Sequence, residues 1–239
     1  MKKTICFLLA LLMLMNAGIS EETMPETEKL PLSGLVIGIN PGHQSTPVNQ
    51  KVPVAPGSGI KKSAVGVGGR GDYTGVYEYE TNLQVSLMLC GLLTELGAGV
   101  VMTRTDNDAV LTNIERAQML NGMHVDMAIQ VHCDDSQSHT KSGVSAYYPL
   151  KGAYTEESRQ FAEILLERLA SVTGAKNRGA AASAAYISLN YSETPSVLIE
   201  MGYLSNKNED RLLADDGYRA LLAQGMLEAI AEYFGRELP

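Results

Sequence analysis

Pro195-Ser196-Val197-Leu198-Ile199-Glu200 is a proline, a short apolar run and a carboxylate, and its reading decides the fold. A run this short and this apolar reads as a strand buried on both faces, the kind found in parallel sheets covered by helices. Working outward, the signature recurs. Leu35–Ile39 ends at Asn40-Pro41-Gly42-His43, Val100–Met102 at Thr103-Arg104, and Asp126–Val131 at His132. Val144–Tyr148 reads as another strand and Ala185–Leu189 as a short one. Helical periodicity marks Thr81–Leu96, Leu111–Leu120, Glu156–Val172 and a last segment from about Gly217 to Phe234. Strands alternating with helices predict a single α/β domain, with a mostly parallel or mixed central sheet of about six strands and helices on both faces.

A carboxylate ending a buried strand is costly unless something uses it. In open α/β sheets, ligands collect outside the carboxyl ends of the strands. His43, His132 and Glu200 each fall at or just past such an end, and Glu78 falls at the mouth of the helix beginning near Thr81. Two imidazoles and a carboxylate form a ligand set that holds zinc and leaves one position for water, whose proton a further carboxylate can take. Singly, each residue has an ordinary reading. His43 fits a surface turn and His132 a backbone-satisfied core histidine, while Glu78 and its neighbour Glu80 both suit a helix N-terminus. His124 and His139 have polar or loop surroundings and read as surface residues.

The chain has 239 residues. Met1-Lys2-Lys3, an apolar stretch from Thr4 to Ala17 and the small residues of Gly18-Ile19-Ser20 read as a secretory signal peptide over residues 1–20; an uncleaved anchor is the alternative. Residues 21–33 read as a flexible tether and 34–239 as the catalytic domain. No other run is long enough to span a bilayer, so no stable membrane span is expected after cleavage. The formal charge is −8, and Lys2 and Lys3 leave with the signal. Without a basic patch, nucleic acid is not an expected partner, and electrostatic adhesion to an anionic polymer or membrane is disfavoured. Cys90 and Cys133, the cysteines left after processing, read as buried thiols rather than a bridge. Residues 44–77 read as one long aperiodic loop, a length generally reserved for function or disorder.

Three other chemistries fail on context. Gly66-Val67-Gly68-Gly69-Arg70-Gly71 matches a dinucleotide fingerprint, but no convincing strand precedes it and no helix opens there. His132-Cys133-Asp134 suggests a two-metal phosphoesterase, which needs further strand-end ligands that are not found. No G-x-S-x-G elbow accompanies a histidine.

Together the motifs resemble those of the zinc-dependent N-acetylmuramoyl-L-alanine amidases of the amidase-3 type, which cut bacterial peptidoglycan. Ile39–His43 is similar to that family's D-P-G-H segment, and Glu78–Leu83 to its E-x-x-x-N-L helix entry, whose register favours Glu78 over Glu80. Val101–Asp106 resembles V-x-T-R-x-x-D, Arg116–Asn121 resembles R-x-x-x-A-N, and Asp126–His132 resembles A-D-x-x-x-S-I-H. Arg178-Gly179 also has a counterpart, and Pro195–Asn206 is close to P-x-V-L-V-E-x-G-F-x-S-N. The resemblance runs from about Leu35 to Phe234. It implies one Zn²⁺ held by His43, Glu78 and His132, with Glu200 as the proton carrier. It further implies hydrolysis of the amide between N-acetylmuramic acid and L-alanine, by a secreted monomer that finds the wall through its groove or a targeting or activating protein. A catalytically weak wall-binding or regulatory protein, or a zinc carboxypeptidase acting on stem peptides, are the alternatives.

Two departures from the pattern carry expectations of their own. Asn40 replaces the usual aspartate, so a carboxylate that would raise the basicity of a ligand becomes an amide. Cys133 should point away from the metal and affect packing alone.

Overall fold

The computed structural model describes residues 29–239. The signal and the first part of the tether, residues 1–28, lie outside the described residues. In chain order the elements are β1 (Val36–Pro41), β2 (Val48–Pro53), β3 (Lys61–Val65), α1 (Glu78–Glu95), β4 (Gly99–Met102), α2 (Asn113–Gly122), β5 (Met127–Asp134), β6 (Val144–Pro149), α3 (Thr155–Thr173), β7 (Asn177–Ser183), α4 (Ile187–Asn190), β8 (Ser196–Tyr203), α5 (Lys207–Leu213) and α6 (Asp216–Tyr233).

Six strands form one sheet in the order β4-β1-β5-β8-β6-β7. β4, β1, β5 and β8 run parallel, and β6 turns antiparallel against β8 with β7 parallel beside it. Side chains on a strand alternate between faces, and here the alternation sorts structure from chemistry. Ile37 and Ile39, Met127, Ile129 and Val131, and Val197, Ile199 and Met201 face a large core. Leu89 and Leu93 of α1, Phe161 and Leu165 of α3, and Met226 and Ile230 of α6 complete it. The opposite face carries Gly38, Asn40, Ala128, Gln130, His132, Leu198 and Glu200. Leu120 of α2 packs there with Val125 and Ala128. β8 is buried along its whole length, as expected of a central strand.

Four expectations change. Residues 44–77 are not one aperiodic loop: β2 and β3 pair as an antiparallel hairpin inside it. Their sequences, Val-Asn-Gln-Lys-Val-Pro and Lys-Lys-Ser-Ala-Val, carry too few apolar residues to alternate. Residues 185–189 are not a strand: the edge strand is β7, and one helical turn, α4, follows it. β7 is mostly small, exposed residues, which hides it from hydrophobic periodicity. α5 was also unexpected, a short helix capped by the Asn206 side chain, which accepts from the backbone N–H groups of Asn208 and Glu209. The boundary at residue 34 falls too late: Leu32 is fully buried in the main core, and its N–H donates to the Leu96 carbonyl at 2.8 Å. Cys90 and Cys133 are unbridged. Among the described residues no helix is long and apolar enough to cross a membrane.

Candidate metal centre

The parallel register puts His132 of β5 directly beside Glu200 of β8, on the same face of the sheet. β1 delivers His43 just past its end, and the first turn of α1 delivers Glu78. His43 Nε2 lies 3.3 Å from Glu78 Oε2, and His132 Nδ1 lies 3.1 Å from Glu78 Oε1. One donor atom from each of the three lies within 4.8 Å of the others. The two imidazoles meet edge to face, with ring centroids 4.8 Å apart.

His43 and Glu78 are each held from behind. His43 Nδ1 sits 3.0 Å from the Gly66 carbonyl, which sets the tautomer that leaves Nε2 free to ligate. Glu78 Oε2 accepts from the Gly69 N–H at 2.8 Å, and Oε1 accepts from the Cys133 N–H at 3.1 Å and from Asn82 Nδ2 at 3.3 Å. Asn82 lies one helical turn after Glu78, which gives the E-x-x-x-N spacing its physical content. Glu80 accepts instead from the Tyr77 N–H and closes the helix start, so the choice between the two glutamates is a division of labour. His124 and His139 lie outside the cluster; His139 sits on the surface beside Asp72, at 3.2 Å.

The glycine-rich segment rejected as a dinucleotide loop is thus part of the centre. A Cβ on Gly68, whose φ is +81°, would lie 2.5 Å from Glu78 Oε2. Gly42 is equally constrained: a Cβ there would lie 2.3 Å from the His132 ring. Gly42→Ala should therefore displace His132 and lower metal affinity by at least about tenfold, read by competition with a chromogenic chelator. Cys133 points into the main core, as its strand position requires, and its backbone N–H donates to Glu78 Oε1.

Arg104 and Arg116 supply what the motif spacing could not reveal. Arg104 donates to the carbonyls of Pro41, Gly42 and Tyr79, and Arg116 to those of Pro41 and His43. The two guanidinium groups clamp the turn carrying His43, a residue held at φ +60°. Burial pushes Arg104 down to about 10 and, with the charge of Arg104 adding, Arg116 down to about 9. Asn40 belongs to this clamp and not to the ligand: its Oδ1 accepts from Thr103 Oγ1 at 2.8 Å and Arg116 Nη1 at 3.1 Å. The expected weakening of His43 through residue 40 therefore has no direct contact to act through. Asn40→Asp should instead give Arg116 a buried counter-charge and stabilise the fold by about 1 kcal/mol, seen as a higher urea midpoint at unchanged slope.

Electrostatics divide the two glutamates. Burial opposes ionisation of Glu78, but its contacts with His132 and His43 outweigh that and hold it well below the usual carboxylate range. Burial opposes the His43 imidazolium too, yet Glu78 raises it, whereas burial prevails at His132 and lowers it. Glu200 is pushed well above the carboxylate range by burial, with the charges of Glu78 and Asp134 adding. Its Oε2 is buried without a hydrogen-bond partner. A cleft of about 590 Å³ opens over His43, Glu78, His132 and Glu200. A neutral-capable carboxyl beside a compact N,N,O donor set suits a divalent ion with an adjacent proton carrier.

Sequence reasoning missed Asp210 of α5. Its carboxylate accepts from the N–H groups of Tyr73 and Thr74, at 2.7 and 2.8 Å, and from Thr74 Oγ1 at 2.6 Å, pinning the loop that leads into Glu78. The only signal was its place in the first turn of a helix capped by Asn206, four residues after the cap.

An α/β domain with such a donor cluster beside its strand ends can hold a metal ion there. The chain belongs to the N-acetylmuramoyl-L-alanine amidase (Amidase_3) family, whose profile matches residues 37–232. It is 30% identical over 209 residues to the uncharacterized protein YqiI of Bacillus subtilis, covering 86% of this chain and 96% of YqiI. It is 27% identical over 209 residues to the N-acetylmuramoyl-L-alanine amidase LytC of the same organism, covering 84% of this chain but 40% of LytC. The crystal structure of the N-acetylmuramyl-L-alanine amidase Ami1 of Mycobacterium smegmatis superposes with a TM-score of 0.78 at 26% identity, covering 85% of this chain and 98% of that one. The class of activity is that of a peptidoglycan amidase.

Proposed function

We propose that the protein is a zinc-dependent enzyme acting outside the cytoplasmic membrane, in which His43, Glu78 and His132 hold one Zn²⁺ and Glu200 carries the proton. The observation that supports this most is the juxtaposition of three preoriented donors with a buried, unpartnered Glu200 oxygen on the neighbouring strand. The donor set fits zinc by ligand type and number. When bound, zinc supplies Lewis acidity that activates water and polarises an amide carbonyl. Glu200 accepts the proton of the attacking water and returns it to the departing L-alanine nitrogen. Its buried, unpartnered oxygen beside the donor cluster places it for both halves of that transfer. The Gly66 carbonyl and the Gly69 and Cys133 N–H groups fix the ligands, and the cleft orients the muramoyl-peptide amide against Glu200.

Chelation should abolish release of a free L-alanine amine terminus from muramoyl peptides, and stoichiometric zinc should restore it. A new terminus elsewhere in the stem would make the protein a carboxypeptidase or endopeptidase instead. Peptidoglycan lies outside the membrane, which supports the extracytoplasmic assignment. A protein partner that delivers the acidic domain to the wall belongs to the same proposal.

A further inference from the structure

The catalytic cleft is lined by four carboxylates, Glu78, Glu200, Asp134 and Asp135. Among its described lining residues, Lys62 is the sole lysine or arginine. Lys62 is thus the one lysine or arginine of the described lining that an anionic stem peptide entering this cleft can meet. Lys62 lies on β3, the strand that runs directly into Gly66, whose carbonyl holds His43. Four residues of strand place its backbone about 13 Å from Gly66. Its ammonium donates to the Ala185 carbonyl at 3.0 Å, which leaves further N–H groups unused. Lys51 reinforces the same wall, donating to Ser63 at 3.0 Å.

We propose that Lys62 is a specificity residue that pairs with the carboxylate of the stem peptide's second residue. This rests on the amidase reading of the site. That residue is a glutamate joined through its side-chain carboxyl, so its α-carboxyl is either free or amidated. That carboxylate is the first charged group the stem carries beyond the scissile amide, so it is the group that a lysine lining the same cleft meets first. The protein thereby distinguishes a carboxylate from a carboxamide at that position.

The test compares kcat/KM on two muramoyl peptides differing only in that group, for the unaltered protein, Lys62→Met and Lys62→Arg. An exposed ion pair predicts a preference of up to about fivefold for the free carboxylate, lost in Lys62→Met and kept in Lys62→Arg. Equal use of the two substrates by the unaltered protein overturns the proposal, as does a preference that survives in Lys62→Met. An equal loss on both substrates in Lys62→Met also overturns it, reducing Lys62 to a strut against Ala185. Failure of the unaltered protein to cut either substrate overturns the amidase reading itself and this proposal with it.

Discussion

Replacing Glu200 with glutamine is expected to leave metal content intact and lower turnover by about 10²- to 10⁴-fold, the range for loss of a positioned acid–base group. The metal should stay because Glu200 lies outside the three-residue donor cluster. Turnover should fall because the amide is isosteric but can neither accept the water proton nor return it to the leaving nitrogen. The fold should survive, since Glu200 Oε2 makes no hydrogen bond that the substitution breaks. Steady-state rates on a muramoyl peptide decide it, with kcat falling far more than KM rises. A variant retaining more than a tenth of normal turnover would remove Glu200 from the mechanism.

Glu78→Gln should have the opposite signature, with metal lost before chemistry is in question. Glu78 Oε2 is engaged by His43 and the Gly69 N–H, and Oε1 by His132, the Cys133 N–H and Asn82 Nδ2. An amide cannot serve all five, because its NH₂ must face a donor on one side. Metal affinity should fall by more than about 100-fold, and one buried N–H left unpaired should cost about 1–3 kcal/mol of stability. Chelator competition and a urea melt read the two effects separately. Unchanged affinity would mean that Glu78 is a brace between the histidines and not a ligand.

The contrast between these glutamates shows how far the sequence could be read. Glu200 was legible because a charged residue at the end of Val197-Leu198-Ile199 has no cheap structural explanation. His43 and His132 were legible because each terminates an apolar run that had to be a parallel strand. Family resemblance supplied the register that favoured Glu78 over Glu80; Glu78 lies in the donor cluster with His43 and His132, and Glu80 closes the helix start. What stayed hidden depends on backbone rather than side-chain pattern. Gly66 acts through its carbonyl, and Gly69 and Cys133 through their N–H groups, and no residue type encodes that. Arg104 and Arg116 were visible as motif letters, yet their targets are main-chain oxygens of a turn distant in sequence. The β2–β3 hairpin and β7 were missed because edge and surface strands built from polar or small residues lack the alternation that identifies half-buried ones.

The division of roles between three ligands and one proton carrier is most directly tested by elemental analysis of the purified unaltered protein beside its Glu200→Gln variant. The account predicts one zinc per chain in both, with turnover confined to the unaltered protein. Loss of zinc from the variant, or an unaltered protein that releases L-alanine with no bound metal, would contradict it.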